Sequence, residues 1–292
     1  MKTPVQFGAL LCLAIGMTSG CALLDLDRPA MVQGRSPLRP AKASPDSVAV
    51  EIVWARFPAG DPSLNETIWQ DIDETPIEPA VARELARNGF RAGVISGELP
   101  PSLASALHQD ESPPEASTAK NGDSLEELMV EPTVRARLVQ ARRGRRVEIQ
   151  ASDVYNTLPL LKDEGGELGG TTYRSAQAMY ALEVDPQPDR MAAVQLTPEL
   201  HHGSPHLCWS RSDEGILRQA PMRDHEVFDR LRLRVKLAPG EMLVLMNLPG
   251  AGSRLGQYFH TVDSVDGRQQ KLILVRLAEV PQSDTFADVG HL

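Results

Sequence analysis

The chain has 292 residues, 41% of them hydrophobic but only 4% aromatic, so its core has to be filled by aliphatic side chains. Its formal net charge is −9 at pH 7 and its pI about 5.3, which argues against a nucleic-acid partner, because such binders carry a basic field. Cysteines occur only at Cys12, Cys21 and Cys208, too few for a disulfide-stapled scaffold.

At the N-terminus Lys2 precedes an apolar run from Phe7 to Met17, followed by Thr18, Ser19, Gly20 and Cys21. Positive charge, short apolar stretch and small residues in that order read as a secretory signal. The run is about 11 residues, against the roughly 20 that a membrane-crossing helix needs. The segment resembles a bacterial lipoprotein signal, with Thr18 where that family prefers Leu. The resemblance implies a signal peptide over 1–21 and acyl chains, palmitate among them, on Cys21. The chain would then be held to the outer or another periplasm-facing membrane of the cell envelope, each buried methylene adding ~0.8 kcal/mol. An ordinary signal cut near Gly20 or Ala22 is the alternative. With Cys12 removed and Cys21 lipidated, Cys208 is left without an internal disulfide partner.

Residues 22–47 are rich in Pro, Ser and Arg and read as a disordered tether. Residues 48–107 read as a small two-layer α/β module. VAVEIVWARF alternates as a strand, and Ser63-Leu-Asn-Glu66 has the form of a capping box opening a helix through Ile72. A second helix is bounded by Pro79 and by Asn88-Gly89, FRAGVI is a short strand, and Pro100-Pro101 opens a third helix. Residues 108–130 are polar and read as a linker, and 281–292 as a flexible tail.

From 131 to 280 the pattern is mostly antiparallel strand, so the fold class is α+β. VRARLVQ and RRVEIQA flank an Arg-rich turn and read as a hairpin, whereas residues 156–174, with four glycines, read as a loop. AMYALEVDP, RMAAVQLTPEL and KLILVRLAEV read as strands. LRLRVKL, the turn Ala238–Glu241 and MLVLMNL read as the clearest hairpin in the chain. Period two puts Arg230, Arg232, Arg234 and Lys236 on one wet face, a candidate partner surface. MLVLMNL is apolar at nearly every position and has to be covered on both sides.

The order of these elements, from VRARLVQARRGRRVEIQA through VQLTPEL (194–200) and VKLAPGEMLVLMNLPG (235–250) to Leu255-Gly-Gln-Tyr-Phe259, resembles the β-domain of secretins. These are the ring-forming outer-membrane proteins of secretion and pilus systems. The resemblance implies a secretin-like β core acting as a structural or assembly component, with secretion-channel or other envelope proteins, or further copies of itself, as partners. Only Gly250-Ala-Gly-Ser-Arg precedes the Leu-Gly-x-x-Phe element, and no strand pair reads as long enough to enter a bilayer with lipid-facing alternation, so pore and gate segments are expected to be lacking.

The sequence carries no G-x-S-x-G, H-E-x-x-H or Walker-type loop, and the reading is of a protein that is not an enzyme and takes no cofactor. His201, His202, His206 and Cys208 are weak metal candidates, as one tight cluster without a second ligand pair. A metal-dependent hydrolase using the His201–Cys208 region, or a passive cell-wall or surface-binding module, are the alternatives. The acidic run Asp71-Ile-Asp73-Glu74 lacks the spacing of a calcium loop. Arg142, Arg143, Arg145 and Arg146 at the first hairpin tip could meet a lipid phosphate or an acidic partner.

Overall fold

Strand β1 (Ser47–Pro58) carries apolar residues on both faces, which makes it suited to the interior of a sheet rather than to an edge. The computed structural model describes residues 46–108, 133–211, 217–264 and 267–280. The signal peptide, Cys21, the tail and almost all of the tether and linker lie outside the described residues. Within them the fold is α+β and dominated by two antiparallel sheets.

The first sheet runs β2 (Phe90–Ile95), β9 (Met242–Asn247), β11 (Gly267–Glu279), β1 and β3 (Val134–Arg142), with β10 (Thr261–Ser264) on the end of β11. The second runs β4 (Val147–Glu164), β5 (Glu167–Pro186), β6 (Ala192–Arg211) and β7 (Leu217–Val227), with β8 (Leu233–Leu237) also pairing with β6. Alternation on β9 shows how the layers stack. Leu243 and Leu245 pack toward the second sheet with Val50, Ile52, Leu182, Val194, Val235 and Val275. Met242, Val244 and Met246 face the other way, into a cluster with Leu64, Ile68, Trp69 and Leu103. The all-apolar strand is covered on both sides, as its composition requires.

The helices confirm some expected boundaries and correct one. Helix α1 (Pro79–Arg87) starts at Pro79 and stops at Asn88, with Gly89 at φ +82° accepting the left-handed conformation. Helix α2 (Pro101–His108) follows Pro100. Ser63–Thr67 forms one π-helical turn and Ile68–Gln70 one 3₁₀ turn, not an α-helix through Ile72. The capping box is not made: Asp61 Oδ1 accepts from Ser63 N at 2.8 Å, and the side chain of Ser63 caps nothing. Leu64, Ile68, Trp69 and Ile72 are all buried.

Three pairings depart from expectation. The strands of 48–107 do not build a separate module, because β1 lies between β11 and β3 and β2 lies on β9. LRLRVKL and MLVLMNL are not a hairpin: β8 joins β6 in one sheet and β9 joins β11 and β2 in the other. The turn is real, with Glu241 N donating to Ala238 O at 3.0 Å and Gly240 at φ +95°, but it carries the chain across the sandwich. The Arg142–Arg145 turn does the same between β3 and β4. Conversely, the glycine-rich stretch 156–174 is no loop. It is the distal half of a β4–β5 hairpin, closed by Gly165 and Gly166 at φ +73° and +99°, a two-residue turn only glycine enters freely. The strands β4, β5 and β6, with 18, 20 and 20 residues, are longer than expected and exceed the ~10 residues that a bilayer-crossing strand needs.

Candidate functional site

The feature that stands apart from the packed sandwich is the end of the β6–β7 pair. β5 accompanies β6 only from Ala192 to His201, and beyond that point β6 is paired with β7 alone. The resulting two-stranded ribbon, His202–Arg211 against Leu217–Asp224, extends ~33 Å at ~3.3 Å per residue. Strand alternation places Leu207 and Trp209 on one face, with Leu217 beside them on the partner strand. They are 67%, 68% and 59% exposed, among the described residues the largest exposures of bulky apolar side chains apart from Leu138 and Leu168. Among the described residues β7 has a strand neighbour on one side only. Isolated two-stranded ribbons are marginal in water, and one that exposes bulky apolar side chains gains from having them covered.

All four histidine and cysteine candidates lie inside β6: His202, His206 and Cys208 in the ribbon, and His201 at the point where β5 leaves off. Successive strand residues point to opposite faces, so His201 and His202 diverge, and the register shifts between His202 and His206. His201 Nε2 lies 3.2 Å from Glu199 Oε2, and its ring is 5.5 Å from that of His225. His202 lies against Tyr173, with ring centroids 5.1 Å apart. Cys208 is half-buried rather than sunk in a core, and Leu207 and Trp209 beside it face outward. Among the described residues no group of three or more His, Cys, Asp or Glu side chains is placed to hold a metal ion.

The cationic strand alternates as expected, with Leu231, Leu233, Val235 and Leu237 buried and Arg232, Arg234 and Lys236 exposed. Its charges are not all available to a partner. Arg232 pairs with Asp229, and Lys236 Nζ donates to Asp189 Oδ2 at 2.5 Å. Arg230 sits in the Asp229–Leu231 turn and reaches the β4–β5 turn, where a Cβ on Gly165 would come within 2.6 Å of its guanidinium. Arg143 and Arg146 of the second cationic cluster are likewise engaged within the chain. Arg143 pairs with Asp185 at 2.7 Å, and Arg146 is bonded to Glu199, a carboxylate only 2% exposed. Of the acidic run, Glu74 pairs with Arg91 at 2.6 Å and Asp73 Oδ1 accepts from Thr75 N.

Two polar networks leave no local trace in the sequence. Lys162 Nζ donates to Glu226 Oε1 at 2.7 Å, and Tyr173 donates to the other carboxylate oxygen. Burial pushes the Glu226 carboxyl up, but Lys162 and Tyr173 outweigh it and leave it below the usual range. Between the sheets, His260 and Tyr180 are fully buried and 2.7 Å apart. Lys271 O lies 3.0 Å from His260 Nδ1 and can only accept, so Nδ1 carries the proton and Nε2 accepts from the Tyr180 hydroxyl. Burial, with the charge of Lys271, depresses the imidazole to about 3. The neutral ring serves as a cross-brace in the core.

No family model matches the chain, and no curated protein matches it. Among solved structures it is similar to a chain described as the InvG secretin domain beta-barrel from the Salmonella SPI-1 injectisome NC-base, at 11% identity and a TM-score of 0.20. The similarity covers 82% of this chain and 64% of that one, so this chain spans a little under two thirds of that structure's length.

Proposed function

We propose that this protein is a non-enzymatic cell-envelope lipoprotein, anchored through Cys21, whose β-domain acts by assembly within a protein-secretion or pilus-type outer-membrane complex. The observation that carries the reading is the β6–β7 ribbon, which leaves the sandwich with Leu207, Trp209 and Leu217 exposed and, among the described residues, with no strand on the outer edge of β7. Burying those three side chains against a partner would contribute roughly 1.5–3 kcal/mol each for the fully covered aliphatic ones, which makes an unpartnered ribbon the costlier state. The signal-like N-terminus and the secretin-like order of elements over 134–280 supply the envelope and secretion context.

Multi-angle light scattering of the full chain in detergent tests this. The reading expects an oligomer, or a complex with a secretion-channel protein. It also expects that Leu207→Ser, Trp209→Ser and Leu217→Ser together shift the protein to monomer with an unchanged circular dichroism spectrum. A wild-type protein that is strictly monomeric and joins no channel protein contradicts it.

A further inference from the structure

The ribbon parts from β5 at His201, and directly opposite His201 on β7 stands His225. Opposed residues of an antiparallel pair share a face, with Cβ atoms about 4.5–5.5 Å apart. The two imidazole rings accordingly have centres 5.5 Å apart and planes inclined at 44°. Two imidazoles on one tetrahedral ion, with metal–nitrogen bonds of about 2.0–2.1 Å, hold their ring centres about 5 Å apart. The pair therefore stands close to chelating separation.

His201 is also held in the tautomer that chelation needs. Its Nε2 lies 3.2 Å from Glu199 Oε2, an oxygen that accepts from Arg146 as well. A carboxylate held by a guanidinium accepts, so Nε2 carries the proton and Nδ1 keeps its lone pair. Glu199 is only 2% exposed and tied to Arg146, so it fixes the ring it touches. A histidine oriented through its second nitrogen by a carboxylate is the usual support of a protein metal ligand. His225 is exposed, which lets its ring turn a nitrogen toward the same point. The neighbouring cation on that face of β7, Arg223, donates to Ser175 O at 3.1 Å. His202 points to the opposite face, against Tyr173, and His206 lies past the register shift. Imidazole pairs suit zinc, nickel and copper, whereas magnesium and calcium prefer oxygen. Two protein ligands with water completing the shell imply an affinity on the order of micromolar.

We propose that His201 and His225 bind a divalent late transition-metal ion such as Zn²⁺, with Glu199 positioning His201, and that the ion clasps β6 to β7 where β5 no longer braces them. Calorimetric titration of the metal-free full chain with zinc chloride, nickel chloride and magnesium chloride tests the proposal. Zinc and nickel are expected to bind at one ion per chain, and magnesium not at all. His225→Gln, at an exposed position, should weaken zinc binding about tenfold or more, and so should His201→Gln, whereas His206→Gln with Cys208→Ser should leave it unchanged. Amide exchange of Leu217–His225 in the dilute protein should slow on adding zinc in the wild type and stay the same in His225→Gln. The proposal is overturned if zinc does not bind, if the His206/Cys208 variant loses as much affinity as His225→Gln, or if bound zinc leaves exchange of Leu217–His225 unaltered.

Discussion

Replacing His260 with Gln would remove a titration, and the loss can be read directly. In the folded protein burial holds this imidazole at about 3, against 6.5 in an unfolded chain. Between those values the unfolded chain binds a proton that the native one does not, so native stability is full above pH 6.5 and falls as the pH is lowered. The slope is about 1.4 kcal/mol per pH unit, which amounts to about 2 kcal/mol between pH 7 and pH 5. A Gln at 260 can donate to Lys271 O and accept from Tyr180, and it does not titrate. Urea unfolding of both proteins at several pH values should give a wild-type curve that drops about 2 kcal/mol further than the variant's over that interval. Glu226 works in a different window. Its carboxyl is depressed, so its contribution is lost only as the pH falls below the ordinary carboxylate range. Equal slopes in wild type and His260→Gln would refute the buried neutral histidine.

Gly256→Ala should destabilise by about 3 kcal/mol, because the new Cβ would lie 2.0 Å from Gly89 O, against backbone rather than a movable side chain; the ~1 kcal/mol gained in helix propensity does not offset this, and thermal unfolding will show it. Leu245→Ala removes a fully buried side chain between the sheets and should cost about 2–5 kcal/mol, whereas Leu207→Ala on the ribbon should stay within about 0.5 kcal/mol by urea unfolding. Arg146→Ala removes the guanidinium from the buried Glu199 carboxylate, leaving His201 as its partner among the described residues, and should cost about 2–4 kcal/mol, a loss that Arg146→Ala with Glu199→Gln should partly recover.

Local chemistry made some of this architecture legible and hid the rest. β9 could be assigned as an interior strand because each of its positions is apolar, and β8 as amphipathic because cations alternate strictly with aliphatics. Helix α1 was bounded by Pro79 and Gly89, each of which has a backbone reason to stand there. Turn residues, by contrast, say that the chain reverses and not which strand it then meets. Ala238–Glu241 and Arg142–Arg145 form sound turns, yet both carry the chain from one sheet to the other. The β4–β5 hairpin stayed hidden because its distal half is largely exposed and lacks the alternation a half-buried strand shows, although Gly165-Gly166 was the available signal. At the site, exposure of Leu207 and Trp209 could not be read, since flanking a half-buried cysteine with apolar residues looks like core. The strands β1, β3 and β11 are distant in sequence, and only register brings their residues together.

The association claim is tested most directly by amide hydrogen exchange of the full-length protein in detergent, at low and at high concentration and with any secretion-channel partner added. The account predicts that β7 amides, Leu217–Val227, exchange fast in the dilute protein and become protected on association, while β9 stays protected throughout. Equal exchange of β7 under all conditions, in a sample shown by light scattering to be associated, would contradict it.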